Sequence, residues 1–371
     1  MNKKDIQTLI LLLGLFLLFY FMPLNSKIFV DAIFSGLKML NDYARQHVLT
    51  CLVPAFFIAG AIAVFVKKDF ILRYLGGQAK KYIAYGLASI SGAILAVCSC
   101  TILPLFAGIR KRGAGLGPAI TFLFSGPAIN IAAMFLTISV LGIKIGLARI
   151  ISSILLSILI GLTMAFIFKE KPEEGGIFVE EYKEIKIGKK FLILFFIAMV
   201  GILVVNGLQI NKMIKFGLMI FLALVTAAIA IFKFHQETTK EWLKETWNFV
   251  KTLLPVLFLG VFVAGFIMPF LPQSIIEKIA GSNSIFGNLI AAIFGAFMYF
   301  STLTEIPILQ ALIAKGMASG PALALLLSGP SLSLPSMLVI RKILGTRKTL
   351  VYISLVIIYA TLAGLIFGFI I

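Results

Sequence analysis

The chain has 371 residues, 60% of them hydrophobic and only 13% charged, whereas an ordinary soluble chain carries about a quarter charged residues. Apolar runs of about 18 residues or more recur along its length, each able to cross a hydrocarbon core of about 30 Å as a helix, and the alternating strands of a membrane barrel are missing. This composition excludes a soluble domain, and the net charge of +18, clustered between apolar runs, reflects topology and anionic headgroups rather than nucleic-acid binding.

The expected fold class is therefore an all-α, polytopic membrane protein. The opening stretch MNKKDIQTLILLLGLFLLFYFMPL has a basic start, an apolar core and no small-residue cleavage site, so it predicts a retained span over 6–23. Residues 28–47 hold Lys38, Asp42 and Arg45 among apolar positions and predict an interfacial segment. Further spans are expected over 48–66, 82–109, 116–140, 143–168, 191–210, 215–233, 249–270, 285–310, 320–340 and 347–371, giving about 10 or 11 in all. Residues 169–190 are charged and punctuated by Gly and Pro, and form a wet linker between the halves. The stretch FHQETTKEWLKETWN (234–248) predicts an amphipathic interfacial helix, with Trp242 and Trp247 at the boundary. The organisation expected is an N-terminal span and interfacial segment (1–47), a first repeat (48–168), a linker with two connecting spans (169–248) and a second repeat (249–371).

The two repeats are read from the sequence itself. GAGLGPAITFLFSGPAIN (113–130) aligns with GMASGPALALLLSGPSLS (316–333) at a constant offset of 203, with 8 of 18 positions identical. At the same offset Thr101 pairs with Thr304, Pro104 with Pro307 and Met134 with Met337. Each half carries two Gly/Pro interruptions: CSCTILP (98–104) with STLTEIP (301–307), and SGPAIN (125–130) with SGPSLS (328–333). Matched interruptions in two halves mark the discontinuous helices that line a transport pathway, because backbone groups freed from a helix need partners inside the bundle or water. Lys and Arg divide almost evenly between the faces of an eleven-span arrangement, so parallel and inverted repeats both stay open. A re-entrant segment around 98–109 would place the basic loops 67–81 and 110–112 on one side.

Cys98 and Cys100 are two of only three cysteines in the chain, too few for a disulfide framework. Soft thiolates suit Cu(I), Zn or trivalent arsenic, although a free cysteine also serves as a small apolar residue. Positions i and i+2 of a helix do not share a face, so these sulfurs converge only at a break, which Pro104 permits. Glu305 is the one acidic residue inside a strongly apolar run; intramembrane charges are costly and mark ion or proton pathways, and a structural ion pair is the alternative. Ser99, Thr101, Ser125, Asn130, Thr304, Ser328 and Ser331 are polar groups at the breaks, able to line a passage or to satisfy loose backbone. Arg110, Lys111 and Arg112 read as headgroup anchors. His47 and His235 stand alone, and no nucleotide, zinc-protease or nucleophile-elbow motif occurs in a credible context. No metal, cofactor or catalytic residue is therefore expected, and the chain reads as a permease rather than an enzyme.

The run CSCTILPLFAGIRKRGAGLGPAITFLFSGPAINIAAM resembles the signature region of the ArsP-type, or YraQ-like, predicted permeases, and the second-half STLTEIP and SGPSLSLPSM resemble that family's second-half pattern. The resemblance covers residues 48–371. It implies an inner-membrane permease and, for one branch, efflux of trivalent organoarsenicals; Cys98, Cys100, Pro104, Asn130 and Glu305 match the family's motif positions. The second half has Ser301 and Leu303 in place of the two cysteines, so any thiol site is one-sided. A permease for a different solute with structural cysteines, a membrane thiol redox carrier and a scaffold subunit are the rival readings. The partners expected are a small-molecule or metalloid substrate and the lipid bilayer.

Overall fold

The computed structural model describes residues 26–65, 74–76, 79–95, 99–129, 131–170, 189–207, 211–270, 280–298 and 305–371, with a few isolated positions before residue 26. The expected first span and most of the linker lie outside the described residues. Among the described residues every regular element is helical. α1 (Lys27–Tyr43) passes through a π-helical stretch (Ala44–Leu52) into α2 (Val53–Phe65). The chain continues through α3 (Lys81–Leu95), α4 (Ser99–Lys111), α5 (Leu116–Ala128), α6 (Ile131–Leu141) and α7 (Ile143–Ile167). Beyond the linker come α8 (Lys189–Gly207), α9 (Lys212–Lys233) and α10 (Gln236–Ile267). The last group is α11 (Ile285–Phe297), α12 (Glu305–Ala314), α13 (Ser319–Ser328), α14 (Leu334–Leu344) and α15 (Thr346–Ile370).

Four of these helices, α7, α9, α10 and α15, are long and apolar enough to cross a membrane alone. Two bent pairs, α1–α2 at 49° and α5–α6 at 48°, bring the number to six among the described residues, against the 10 or 11 spans expected. Part of the difference arises because 82–109 is the pair of short helices α3 and α4 and 320–340 is the pair α13 and α14, and the expected first span lies outside the described residues. Segment 28–47 forms the first limb of a bent helix packed along α10. Its bend precedes Pro54, which supplies no N–H to the carbonyl four residues back. Of the interruption expected over 98–104, Ser99 to Pro104 are helical in α4, with Pro104 inside the helix, and Cys98 lies outside the described residues. Segment 234–248 is the first part of the unbroken α10, and Trp242 is buried. Its indole N–H donates to Phe57 O at 2.9 Å, and its ring packs on Phe57, Phe65 and Phe195. Large apolar side chains on the outward faces of α7, α9 and α15 stay exposed, as in a body surrounded by hydrocarbon.

Two triads of mutually packed helices form the frame: α3, α5 and α7, and α11, α13 and α15. Their turns share backbone detail. Ala114 N–H donates to Ile109 O and Met317 N–H to Leu312 O; Gly115 N–H donates to Leu75 O and Ala318 N–H to Ala280 O. Gly113 and Gly316 have φ of 92° and 102°, and Gly142 and Gly345 have 91° and 83°. Helix crossings match as well. A Cβ on Gly161 would lie 2.7 Å from Gly117 O, and one on Gly364 would lie 2.6 Å from Gly320 O.

Direction follows from the contacts at the ends. Lys348, in the first turn of α15, donates to Glu170, just past the end of α7, at 2.7 Å. The end of α7 thus meets the start of α15, so the two helices run antiparallel. Asn283, ahead of α11, donates to Leu365 O near the end of α15 at 3.1 Å. The Gly113 and Gly316 turns therefore stand at opposite ends of the molecule. Across the centre, α7 packs on α13 and α15, α6 packs on α12, and α4 packs on α14.

Candidate functional site

Charge enters the interior where these halves meet. Arg149 sits on α7, its side chain fully buried. Glu305 is the first residue of α12 and is 1% exposed. Their nearest atoms, Arg149 Nη2 and Glu305 Oε2, are 3.7 Å apart, an ion pair without a hydrogen bond. Arg149 Nη1 donates to Thr137 Oγ1 on α6 at 2.8 Å, and Thr137 donates onward to Ala133 O at 2.6 Å. Glu305 lies over the turn after α13: a Cβ on Gly329 would stand 2.7 Å from Oε1, so a larger residue there would push the carboxylate aside. The pair thus joins α7 of the first half to both interruptions of the second.

Hydrogen bonding at the pair is incomplete. Among the described residues Arg149 Nε and Nη2 and both Glu305 oxygens lack hydrogen-bond partners. Ser153 Oγ, one turn along α7, and Ser331 Oγ, two residues beyond Gly329, lack them too. Buried polar groups are normally satisfied, and each that is not costs about 1–3 kcal/mol. Tyr352, on α15, donates to Ser331 O at 3.4 Å.

The other residues singled out by sequence fall elsewhere. Ser125 donates to Ala88 O at 3.0 Å and Phe122 O at 3.3 Å, which fastens α5 to α3. Ser328 donates to Leu325 O at 3.3 Å and packs on Gly295. Thr101 and Pro104 are buried within α4. Cys98, Asn130 and Thr304 lie outside the described residues, as do the side chains of Ser99 and Cys100. Arg110, Lys111 and Arg112 are not headgroup anchors but internal ties. Arg110 donates to both oxygens of Glu170 and to Ala114 O, Lys111 pairs with Glu245 on α10, and Arg112 donates to Ile62 O and Val64 O at the end of α2. Arg149 was missed because it reads as a basic residue near a span boundary. The signal that finds it is its place, six residues inside a helix whose one other charged residue, Lys144, sits at its start.

Two cavities lie away from the pair. One, of about 520 Å³, opens at the Gly113 end and is lined by Lys81, Tyr85, Gly117, Lys169 and Glu170. The other, of about 560 Å³, is an apolar recess among α2, α8, α9 and α10.

A family model described as a predicted permease, ArsP_1, matches residues 33–369. The chain is 44% identical over 347 residues to UPF0718 protein MJ0584 of Methanocaldococcus jannaschii, covering 90% of this chain and 95% of that one. It is 25% identical over 306 residues to UPF0718 protein YraQ of Escherichia coli, covering 81% and 72%. A shorter match, 26% over 130 residues, is to UPF0718 protein YcgR of Bacillus subtilis. No solved structure matches.

Proposed function

The chain belongs to the ArsP_1 predicted permease family, and from that premise we propose that this multi-pass membrane permease is a secondary transporter built from two inverted repeats, with its transport site where they meet. Support for the repeat comes from the offset of 203, which relates the turn glycines, the helix crossings and the triads. Support for inversion comes from the antiparallel course of α7 and α15. Inverted repeats with discontinuous helices characteristically hold substrate and coupling ions at their interface, near the midplane.

The observation that carries the site is the Arg149–Glu305 pair, buried, shared between the halves and seated on the interruptions. Glu305 exchanges a coupled proton in this reading. Cys98 and Cys100 bind a soft trivalent species such as an organoarsenical, moved outward across the plasma membrane. Everted vesicles loaded by a proton gradient test each part. Cys98→Ser with Cys100→Ser abolishes methylarsenite accumulation, and unchanged accumulation removes the thiols from the mechanism. Glu305→Gln uncouples accumulation from the gradient, and an unaltered gradient dependence removes that residue.

A second reading, a polar solute with structural cysteines, draws on one observation. The unpartnered groups at the interface are a guanidinium, a carboxylate and two hydroxyls, none of them soft.

A further inference from the structure

Arg149 is permanently charged and fully buried, and Glu305 is its one anionic neighbour among the described residues. The pair stands at 3.7 Å rather than in the bidentate contact a guanidinium and carboxylate can form. Among the described residues Nε and Nη2 are without acceptors, and the Ser153 and Ser331 hydroxyls are unpartnered. Among the described residues the surroundings supply no second countercharge. α5, α6 and α13 carry no titratable residue, and α15 presents Tyr352, engaged with Ser331 O, and Tyr359, engaged with Thr163 on α7. On α3, Tyr85 lies against Gly117 at the Gly113 end. If Glu305 takes up a proton, a buried cation is left uncompensated, which is too costly to persist without a replacement.

We propose that Arg149 is an anion-binding residue, masked by Glu305, and that the permease carries a small monoanion there together with a proton on Glu305. The inference rests on the permease reading and names its substrate class. The charge balances: one proton neutralises the carboxylate, one monoanion takes its place opposite the guanidinium, and the site stays neutral throughout. The unused donors on Arg149 and the two hydroxyls supply the hydrogen bonds a carboxylate or an inorganic oxyanion requires.

The test uses the full chain in detergent and in proteoliposomes, with acetate, nitrate and dihydrogen phosphate as probes against a gluconate background. In Glu305→Gln the mask is removed, so at least one probe raises the melting temperature in a saturable way at neutral pH. In Arg149→Met combined with Glu305→Gln, which leaves no lone charge, that probe binds at least about tenfold more weakly. Arg149→Lys with Glu305→Gln keeps the cation but not the fork, and gives an intermediate affinity. Equal responses in the Met and parent variants, or no response to any probe in Glu305→Gln, overturn the proposal. Flux separates it from the broader reading. Methylarsenite flux that persists in the double variant, with no probe binding that depends on Arg149, leaves the permease standing and overturns the anion site. Probe binding that depends on Arg149, with no flux of any probe or of methylarsenite in wild-type proteoliposomes, overturns the permease and leaves the site.

Discussion

A buried ion pair is asymmetric when it is broken, because its two members dispose of charge differently. Glu305 can take a proton when Arg149 is lost, whereas Arg149 cannot give one up when Glu305 is lost. Removing one partner of a buried pair costs about 3–5 kcal/mol. We therefore expect Glu305→Gln to lower stability by that order, and Arg149→Met to cost less, with its penalty shrinking as the medium is acidified. The double variant recovers most of the loss. Thermal unfolding of the detergent-solubilised protein, followed by size-exclusion chromatography at two pH values, reads this difference; equal penalties at both would show the pair to be uncoupled. The sequence announces Glu305, a lone carboxylate in an apolar run, but not its partner. Arg149 looks like a boundary residue, and no local pattern says that a helix from the other half will cover it. Arg110 and Lys111 mislead for the same reason: their partners Glu170 and Glu245 are 60 and 134 residues away.

Among the helices, what the sequence makes legible is a pair of matching glycine turns. The turns around Gly113 and Gly316 share hydrogen bonds and positive φ, and both were visible as aligned glycines. A side chain in that conformation costs about 1–2 kcal/mol. Gly113→Ala and Gly316→Ala should each lower stability by about that amount. The crossing glycines should be less forgiving: an added Cβ at Gly161 meets Thr121 Oγ1 and at Gly364 meets Asn288 Oδ1. Gly161→Leu and Gly364→Leu are expected to cost about 1–3 kcal/mol or more by overpacking. Gly86→Ala, on α3 with nothing within 4 Å of the added Cβ, should be neutral or slightly stabilising. Parallel losses at partner positions, measured by thermal unfolding, are the mark of equivalent sites; losses in one half alone would speak against the repeat. What the sequence conceals is continuity. Segments 28–47 and 234–248 read as separate pieces, and each extends into a longer helix. Pro104 lies inside α4, so a proline alone does not mark where the chain interrupts.

Across the whole molecule the two halves are also tied at one end, and this tie gives acid a second point of action. Glu170 follows α7 and receives hydrogen bonds from Arg110, after α4, and from Lys348 at the start of α15. Burial pushes its carboxyl up, but Arg110 and Lys348 outweigh that and hold it below the ordinary value of 4.5. A carboxylate whose folded pKa is depressed stabilises the fold above its unfolded pKa, and that contribution disappears as pH falls through the folded value. The tie is therefore complete at neutral pH and is lost only below about 4.5. Glu170→Gln should cost about 1–3 kcal/mol at neutral pH and flatten the acid limb of the stability curve, because the titrating group is gone. The site at Arg149 answers to a different carboxylate, so probe binding in Glu305→Gln should keep its affinity when Glu170→Gln is added. A stability curve unchanged by Glu170→Gln would mean that the contact does not hold the halves together. Altered probe affinity would mean that the end of α7 and the buried pair move as one unit, a coupling that two halves rocking about a shared centre would produce.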